Sequence, residues 1–153
     1  MTKDVAMPEK DLKRIARHHI DLAWNKGHLA LVEQLHSPDF IYKSAFTAQP
    51  LDNAGYRTLV EEIRSGMEDL EVAVEECIRE GNKVFTWSTL MGSIARPVLG
   101  YPVSDRIVSI SAMGFWVFNS QDQVQELCTL FDMESFRAQM GLPNRPFAEK
   151  ALP

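Results

Sequence analysis

Few side chains in this sequence have the chemistry to act on a small molecule, and the first is a carboxylate. Asp132 stands inside "QVQELCTLFDMESFRAQMG", residues 123–141, where strand-like alternation hands over to a helical pattern that Gly141 ends. An aspartate there can serve as a general acid or base, moving a proton next to a carbonyl, which near neutral pH requires a raised pKa. It can instead cap the helix behind it, accepting backbone N–H bonds that favour the charged form. Met133, Phe136 and Met140 are spaced for one helical face directly after it. In strand parity Asp132 also falls opposite Leu127 and Thr129. The cap is therefore the favoured reading, and Asp132 is kept as the one candidate catalytic residue.

The remaining chemical groups are sparse. His18, His19, His28 and His36 come without a nearby cysteine pair or a His-Glu-x-x-His arrangement, so no metal is expected. His19 lies on the apolar stripe of the first helix, where an isolated histidine is usually a hydrogen-bonded core residue. Cys77 and Cys128 are the only cysteines and lack C-x-x-C spacing, which marks them as reduced core thiols. Trp24, Tyr42, Trp87 and Trp116 have the shape to grip a flat ligand, although aromatics at helical or alternating spacing ordinarily form core. Glu126 alternates with Cys128 and Leu130, and its expected use is a structural ion pair with a basic residue on the neighbouring strand.

These groups must be positioned by elements whose period can be read. Leu12, Ile15, Ala16, His19, Ile20, Ala23 and Trp24 follow helical i, i+3, i+4 spacing, and Gly27 is placed to end that helix. Leu29, Val32 and Leu35 continue a second short helix that Pro38 is expected to close, with "FIYK" as a short strand after it. Tyr56, Leu59, Val60 and Ile63 share the face of a third helix, capped by Asp52 and stopped at Gly66. From residue 70 the period becomes two: Leu70, Val72, Val74 and Ile78 point one way, and Glu71, Glu75 and Arg79 the other. Turns at Gly81-Asn82 and "SQDQ" separate long strands. Helices followed by a strand meander specify an α+β domain, with helices packed on one curved antiparallel sheet.

At 153 residues, 45% hydrophobic and 24% charged, the chain suits a single globular domain over residues 1–153. A net charge of −5 without clustered Lys and Arg argues against nucleic acid as a partner. The N-terminus lacks the apolar core of a secretory signal, and no apolar run approaches the ~20 residues of a membrane span. A cytoplasmic protein that meets no membrane is expected, with a small molecule as its partner.

Three segments, "AWNKGHLALVEQLHSPDFIY", "MEDLEVAVEECIREGNKVFTW" and "QVQELCTLFDMESFRAQMG", together resemble the SnoaL-like polyketide cyclase family, of the nuclear-transport-factor-two-like cone fold. The matching features are Trp24-Asn25-x-Gly27, Pro38-Asp39-Phe40, Asp69-Leu70 ahead of a strand, Gly92 at a strand end, Val124-x-Glu126 with Asp132, and Gln139-x-Gly141. They span nearly the whole chain. The resemblance implies a cone: a curved, mostly antiparallel sheet, about three N-terminal helices and a short C-terminal helix around a deep pocket. In such pockets cyclases of the family close polycyclic rings by an intramolecular aldol step, with no metal or cofactor. It further implies a homodimer across the convex sheet face, and "RIVSISAMGFWVF" carries apolar residues on both of its faces.

Carried over residue by residue, the resemblance places the cyclase aspartate at Thr129, whose hydroxyl cannot do that work near neutral pH. The family's polar Gln and His pocket positions align with Ala112 and Gly114. A position that is Asn or His in many relatives is Tyr42, and the Gly-x-His stretch reads Gly92-Ser93-Ile94. The implied pocket is mainly apolar, lined by Trp24, Tyr42, Leu59, Ala112, Gly114, Trp116, Leu127 and Thr129. Two functions stay open: a cofactor-free cyclase or isomerase acting on an apolar, ring-containing substrate with some carboxylate or Tyr42 in the aspartate's place, and a non-catalytic module that binds an apolar small molecule.

Overall fold

Asp11 starts α1 (Leu12–Ile20), its carboxylate accepting the backbone N–H groups of Lys13 and Arg14 at 3.1 and 3.4 Å. The computed structural model describes residues 11–44 and 46–143. The helix does not simply run on to Gly27 as its apolar stripe suggests. It widens into a π-helical turn, Asp21–Lys26, and ends at Gly27 in the left-handed conformation (φ 68°). A side chain at Gly27 would collide with the Arg64 guanidinium. That guanidinium closes the turn, because Arg64 Nε–H donates to the Trp24 carbonyl at 3.0 Å, one of the groups a helix end leaves unpaired.

α2 (Leu29–Glu33) is short, and β1 (His36–Ser44) begins earlier than the sequence suggests. Pro38 does not close a helix but lies exposed within β1. The strand tolerates it because β1 is an edge strand whose pairing with β5 is irregular between His36 and Ile41, so no ladder bond needs the missing N–H. α3 (Asn53–Gly66) is capped by Asp52 as expected, the side chain accepting Gly55 N–H at 2.9 Å.

Four further elements build the rest of the sheet: β2 (Glu71–Glu80), β3 (Lys83–Gly92), β4 (Val108–Phe118) and β5 (Val124–Phe131). Their order is β1-β5-β4-β3-β2, antiparallel throughout except for the parallel β1–β5 pair. The fold is the expected α+β architecture of helices against one curved sheet. One expected face is wrong. A bulge between Val74 and Glu76 reverses the parity of β2, so Val72 stays buried while Ile78 turns outward and is 57% exposed.

Two side-chain amides tie helices to strand backbone. Asn25, on the π turn, accepts Val72 N–H at 2.7 Å and donates to the Val72 carbonyl at 2.9 Å, on the outer edge of β2. Gln139, the last residue of α4 (Met133–Gln139), does the same to Ser109 at 2.7 and 2.8 Å. There β4 outruns β5, whose pairing stops at Ala112–Phe131, and the amide continues the ladder. Asp69 fastens the end of β3 by accepting Ser93 N–H and Oγ–H at 2.9 and 2.8 Å. A Cβ at Gly92 would stand 3.2 Å from that carboxylate. Glu126 pairs with Lys43 of β1 at 3.3 Å on an exposed surface, a contact of small energetic weight.

Candidate functional site

Between the helices and the concave sheet face lie three hollows in series. The innermost, about 40 Å³, is bordered by His19, Trp24 and Tyr56 from the helices and by Thr86, Ser88, Ala112, Gly114, Trp116, Leu127, Thr129 and Phe131 from the sheet. The second, about 50 Å³, has wholly apolar walls that include Ile63, Met67, Leu90, Ile110 and Phe136, and shares Trp24 and Phe131 with the first. The third is an outer recess of about 560 Å³ beside Phe46, Leu99, Tyr101, Met133 and Arg137. A cavity needs roughly 10–15 Å³ to admit one water, so the inner chamber suits a small substituent rather than a ring system.

The narrow end is small because an indole fills it. A side chain at Gly114 would meet Thr86 Oγ1 at 2.7 Å and Trp116 Nε1 at 2.9 Å. The bare glycine leaves room for the Trp116 indole N–H to donate to Thr86 Oγ1 at 2.9 Å across the sheet. His19 meets the edge of the Trp116 ring, His36 stacks on Phe40 at 3.7 Å between centroids, and Tyr42 and Tyr56 tilt together at 4.6 Å.

His19 is not isolated, as its helix alone suggests. His36, the first residue of β1, brings its Nε2 to 2.7 Å from His19 Nε2, and both imidazoles are buried. The direction of this contact follows from a backbone carbonyl. Asn53 Nδ2–H donates to the Ser37 carbonyl at 3.4 Å, so Asn53 Oδ1 faces His36 Nδ1, 2.5 Å away. An amide oxygen only accepts, so His36 Nδ1 carries the proton. In a neutral imidazole His36 Nε2 must then accept, and His19 Nε2–H must donate to it. His19 Nδ1 is left with a bare lone pair and no partner among the described residues. Burial holds both rings neutral: His36 is lowered to about 4, with Asn53 opposing, and His19 lies well below 6.5, with His36 as a second cause and a contact with its own backbone opposing.

The residues singled out in the sequence take different places. Trp24, Ala112, Gly114, Trp116, Leu127 and Thr129 border the inner chamber. Tyr42 stands behind Thr129, its hydroxyl 2.5 Å from Thr129 Oγ1, and burial raises its pKa, so near neutrality it is a hydroxyl and not a base. Leu59 is packed in the core and borders none of these three hollows. Asp132 caps α4, accepting Ser135 N–H at 3.0 Å, and reaches only the outer recess. Sequence reasoning missed His36, Tyr56, Thr86 and Ser88. The stripe position of His19 was the one available signal, since its partner lies seventeen residues away across a helix, a turn and a strand start. Among the described residues no three His, Cys, Asp or Glu side chains converge on a point where a metal could sit, and no helix is long and apolar enough to cross a membrane.

Two outcomes follow. Asp132→Ala should lower stability by about 1 kcal/mol in denaturant unfolding and Asp132→Asn by less, because an amide oxygen still accepts the Ser135 bond. An Asp132→Asn protein of unchanged stability that binds a substrate without converting it would instead make Asp132 a catalyst. The histidine pair should make the fold acid-sensitive. In the unfolded chain each imidazole takes a proton near pH ~6.5, whereas the folded chain refuses it until about pH 4 for His36 and until well below 6.5 for His19. As pH falls through that window the unfolded state binds more protons, so stability is lost, by up to about 1.4 kcal/mol per pH unit for each proton. The double variant His19→Leu/His36→Leu should flatten this slope in melts at pH 7, 6, 5 and 4, and an unchanged slope would refute the assignment.

The site can now be set beside known proteins. The structure is similar to one from Jannaschia sp. CCS1 provisionally described as a SnoaL-like polyketide cyclase (TM-score 0.77, 20% identity, 92% of this chain and 99% of that one). It is similar also to IdmH from Streptomyces antibioticus, provisionally described as a polyketide cyclase (TM-score 0.74, 20% identity, 85% and 99%). AclR from Streptomyces galilaeus, provisionally described as a hydroxylase, has the same fold (TM-score 0.73, 20% identity, 91% and 92%). No curated protein sequence matches the chain. The family model for SnoaL-like polyketide cyclases matches residues 14–140, and with most of the chain inside that match, the protein belongs to the SnoaL-like polyketide cyclase family.

Proposed function

We propose that this protein binds an apolar, ring-containing small molecule in the cleft between its helices and the concave sheet face, and holds it without a carboxylate acid/base. The second chamber carries this reading: its walls are wholly apolar, and it opens toward the recess flanked by Phe46, Tyr101 and Phe131. No carboxylate borders the two inner chambers. Thr129, where the family's aspartate is expected, is engaged by Tyr42. The family favours a second reading, a cofactor-free cyclase or isomerase, in which the Tyr42 hydroxyl would act on a substrate carbonyl through Thr129 Oγ1, which borders the inner chamber.

A panel of polycyclic aromatics should raise the melting temperature, with stabilisation near 2.7 kcal/mol at a hundredfold excess over Kd. Trp24→Ala, which removes a wall common to both inner chambers, should weaken the response. No shift with any member would overturn the binding reading, and mass-neutral conversion of a linear polyketide into a ring would establish the second. For assembly, we propose a homodimer across the convex sheet face. There Trp87, Met113 and Leu130 form one cross-strand row and Ile78, Phe85 and Phe115 another, all but Phe85 at least 41% exposed. A monomer lacking a partner rarely shows so continuous an apolar surface. Sedimentation at micromolar concentration should give a dimer that Phe115→Glu converts to monomer, and a wild-type monomer would refute the pairing.

A further inference from the structure

Every link of the inner hydrogen-bond chain runs one way. Asn53 donates to the Ser37 carbonyl, His36 to Asn53, and His19 to His36. The chain ends in an acceptor, His19 Nδ1, on a side chain with no solvent exposure that borders the inner chamber. A buried acceptor without a donor loses free energy, and such exceptions call for an explanation. Here the explanation has direction, because the backbone carbonyl at the far end forbids the tautomer that would put a proton on Nδ1.

We propose that His19 Nδ1 is the polar anchor of the ligand site, accepting a hydrogen bond from a neutral hydroxyl carried on the ring of the bound molecule. This rests on the binding reading given above. A substituent of one oxygen suits the chamber of about 40 Å³ beside His19. The apolar chamber behind Trp24 and Phe131, at about 50 Å³, is scarcely larger and admits the edge of a ring, whose body lies toward the outer recess of about 560 Å³. An ionised ligand is disfavoured, since an oxyanion would face a lone pair and no Lys or Arg borders either inner chamber. Burial also opposes transfer of the proton to the imidazole, so the ligand stays protonated and is oriented rather than activated. Each donated bond polarises the next, which strengthens the terminal acceptor.

The test uses 2-naphthol and 2-methoxynaphthalene, which share a ring and differ in the donor, with the full chain labelled with ¹⁵N-histidine. In the free protein one buried histidine should show a protonated Nε2 and an unprotonated Nδ1 free of hydrogen bonds. 2-Naphthol should move that Nδ1 resonance upfield and bind about tenfold tighter than the methyl ether, the yield of one well-placed hydrogen bond. His19→Phe should erase the preference between the two compounds. If that variant does not fold, the wild-type spectra decide by themselves. A protonated Nδ1 in the free protein, or an Nδ1 already hydrogen-bonded and unmoved by 2-naphthol, would overturn the anchor. Equal affinity for the two compounds with an unmoved resonance would overturn the anchor and leave the binding reading standing, whereas failure of both to bind would overturn both.

Discussion

A curved sheet cannot keep a cleft open unless something holds the helices at a fixed distance from it, and here two side-chain amides do so. Asn25 and Gln139 each pair through both amide atoms with the backbone of one strand residue, Val72 and Ser109. Such a contact has the geometry of a ladder rung, so it sets distance and orientation together, and removing it would strand a backbone donor and acceptor at once. The π turn gives Asn25 its reach to β2, while Arg64 closes the turn's last carbonyls. At the other end α4 hangs from Gln139 and sets Phe136 in the apolar wall. The cleft is the space these tethers leave.

What fills the narrow end decides what the cleft can do. Gly114 lets the Trp116 indole lie across the strand to Thr86, so Ala112 and Gly114, which align with polar pocket positions of the family, do not leave a wide floor. The space passes instead to a ring cluster of Trp116, His19, His36, Phe40, Tyr42 and Tyr56. Within it the buried ring nitrogen left without a partner among the described residues is His19 Nδ1, which moves the chemical centre of the site from the last strand to the first helix.

The fold could largely be read from the sequence because period is local information. The change from 3.6 to 2 near residue 70, the caps at Asp52 and Asp132 and the hairpin glycine at Gly81 are written in a few adjacent residues each. The errors fall where tertiary context overrode the local pattern. Pro38 breaks helices, yet an edge strand with irregular pairing accepts it. Ile78 follows the parity of Val72 until a bulge adds a residue, and nothing in "VAVEECI" announces a bulge. The site was harder still. His19 and His36 are individually ordinary, and their pairing is a property of three elements meeting.

The residues that carry the family resemblance are mostly those that shape the cone. Asn25 and Gln139 are the tethers, Gly27 clears the way for Arg64, Asp69 and Gly92 form one strand end, Gly141 takes a left-handed turn, and Asp132 caps α4. This is why the motifs identify the architecture so well and the chemistry so poorly. A residue needed to hold a strand to a helix is needed whatever the cleft binds, whereas the residues facing the cleft are free to follow the ligand. Asp132 shows the distinction within a single side chain: its carboxylate is committed to the Ser135 N–H on the rim of the outer recess. The unpaired ring nitrogen of His19 takes its direction from outside the cleft, from the carbonyl of Ser37 acting through Asn53 and His36.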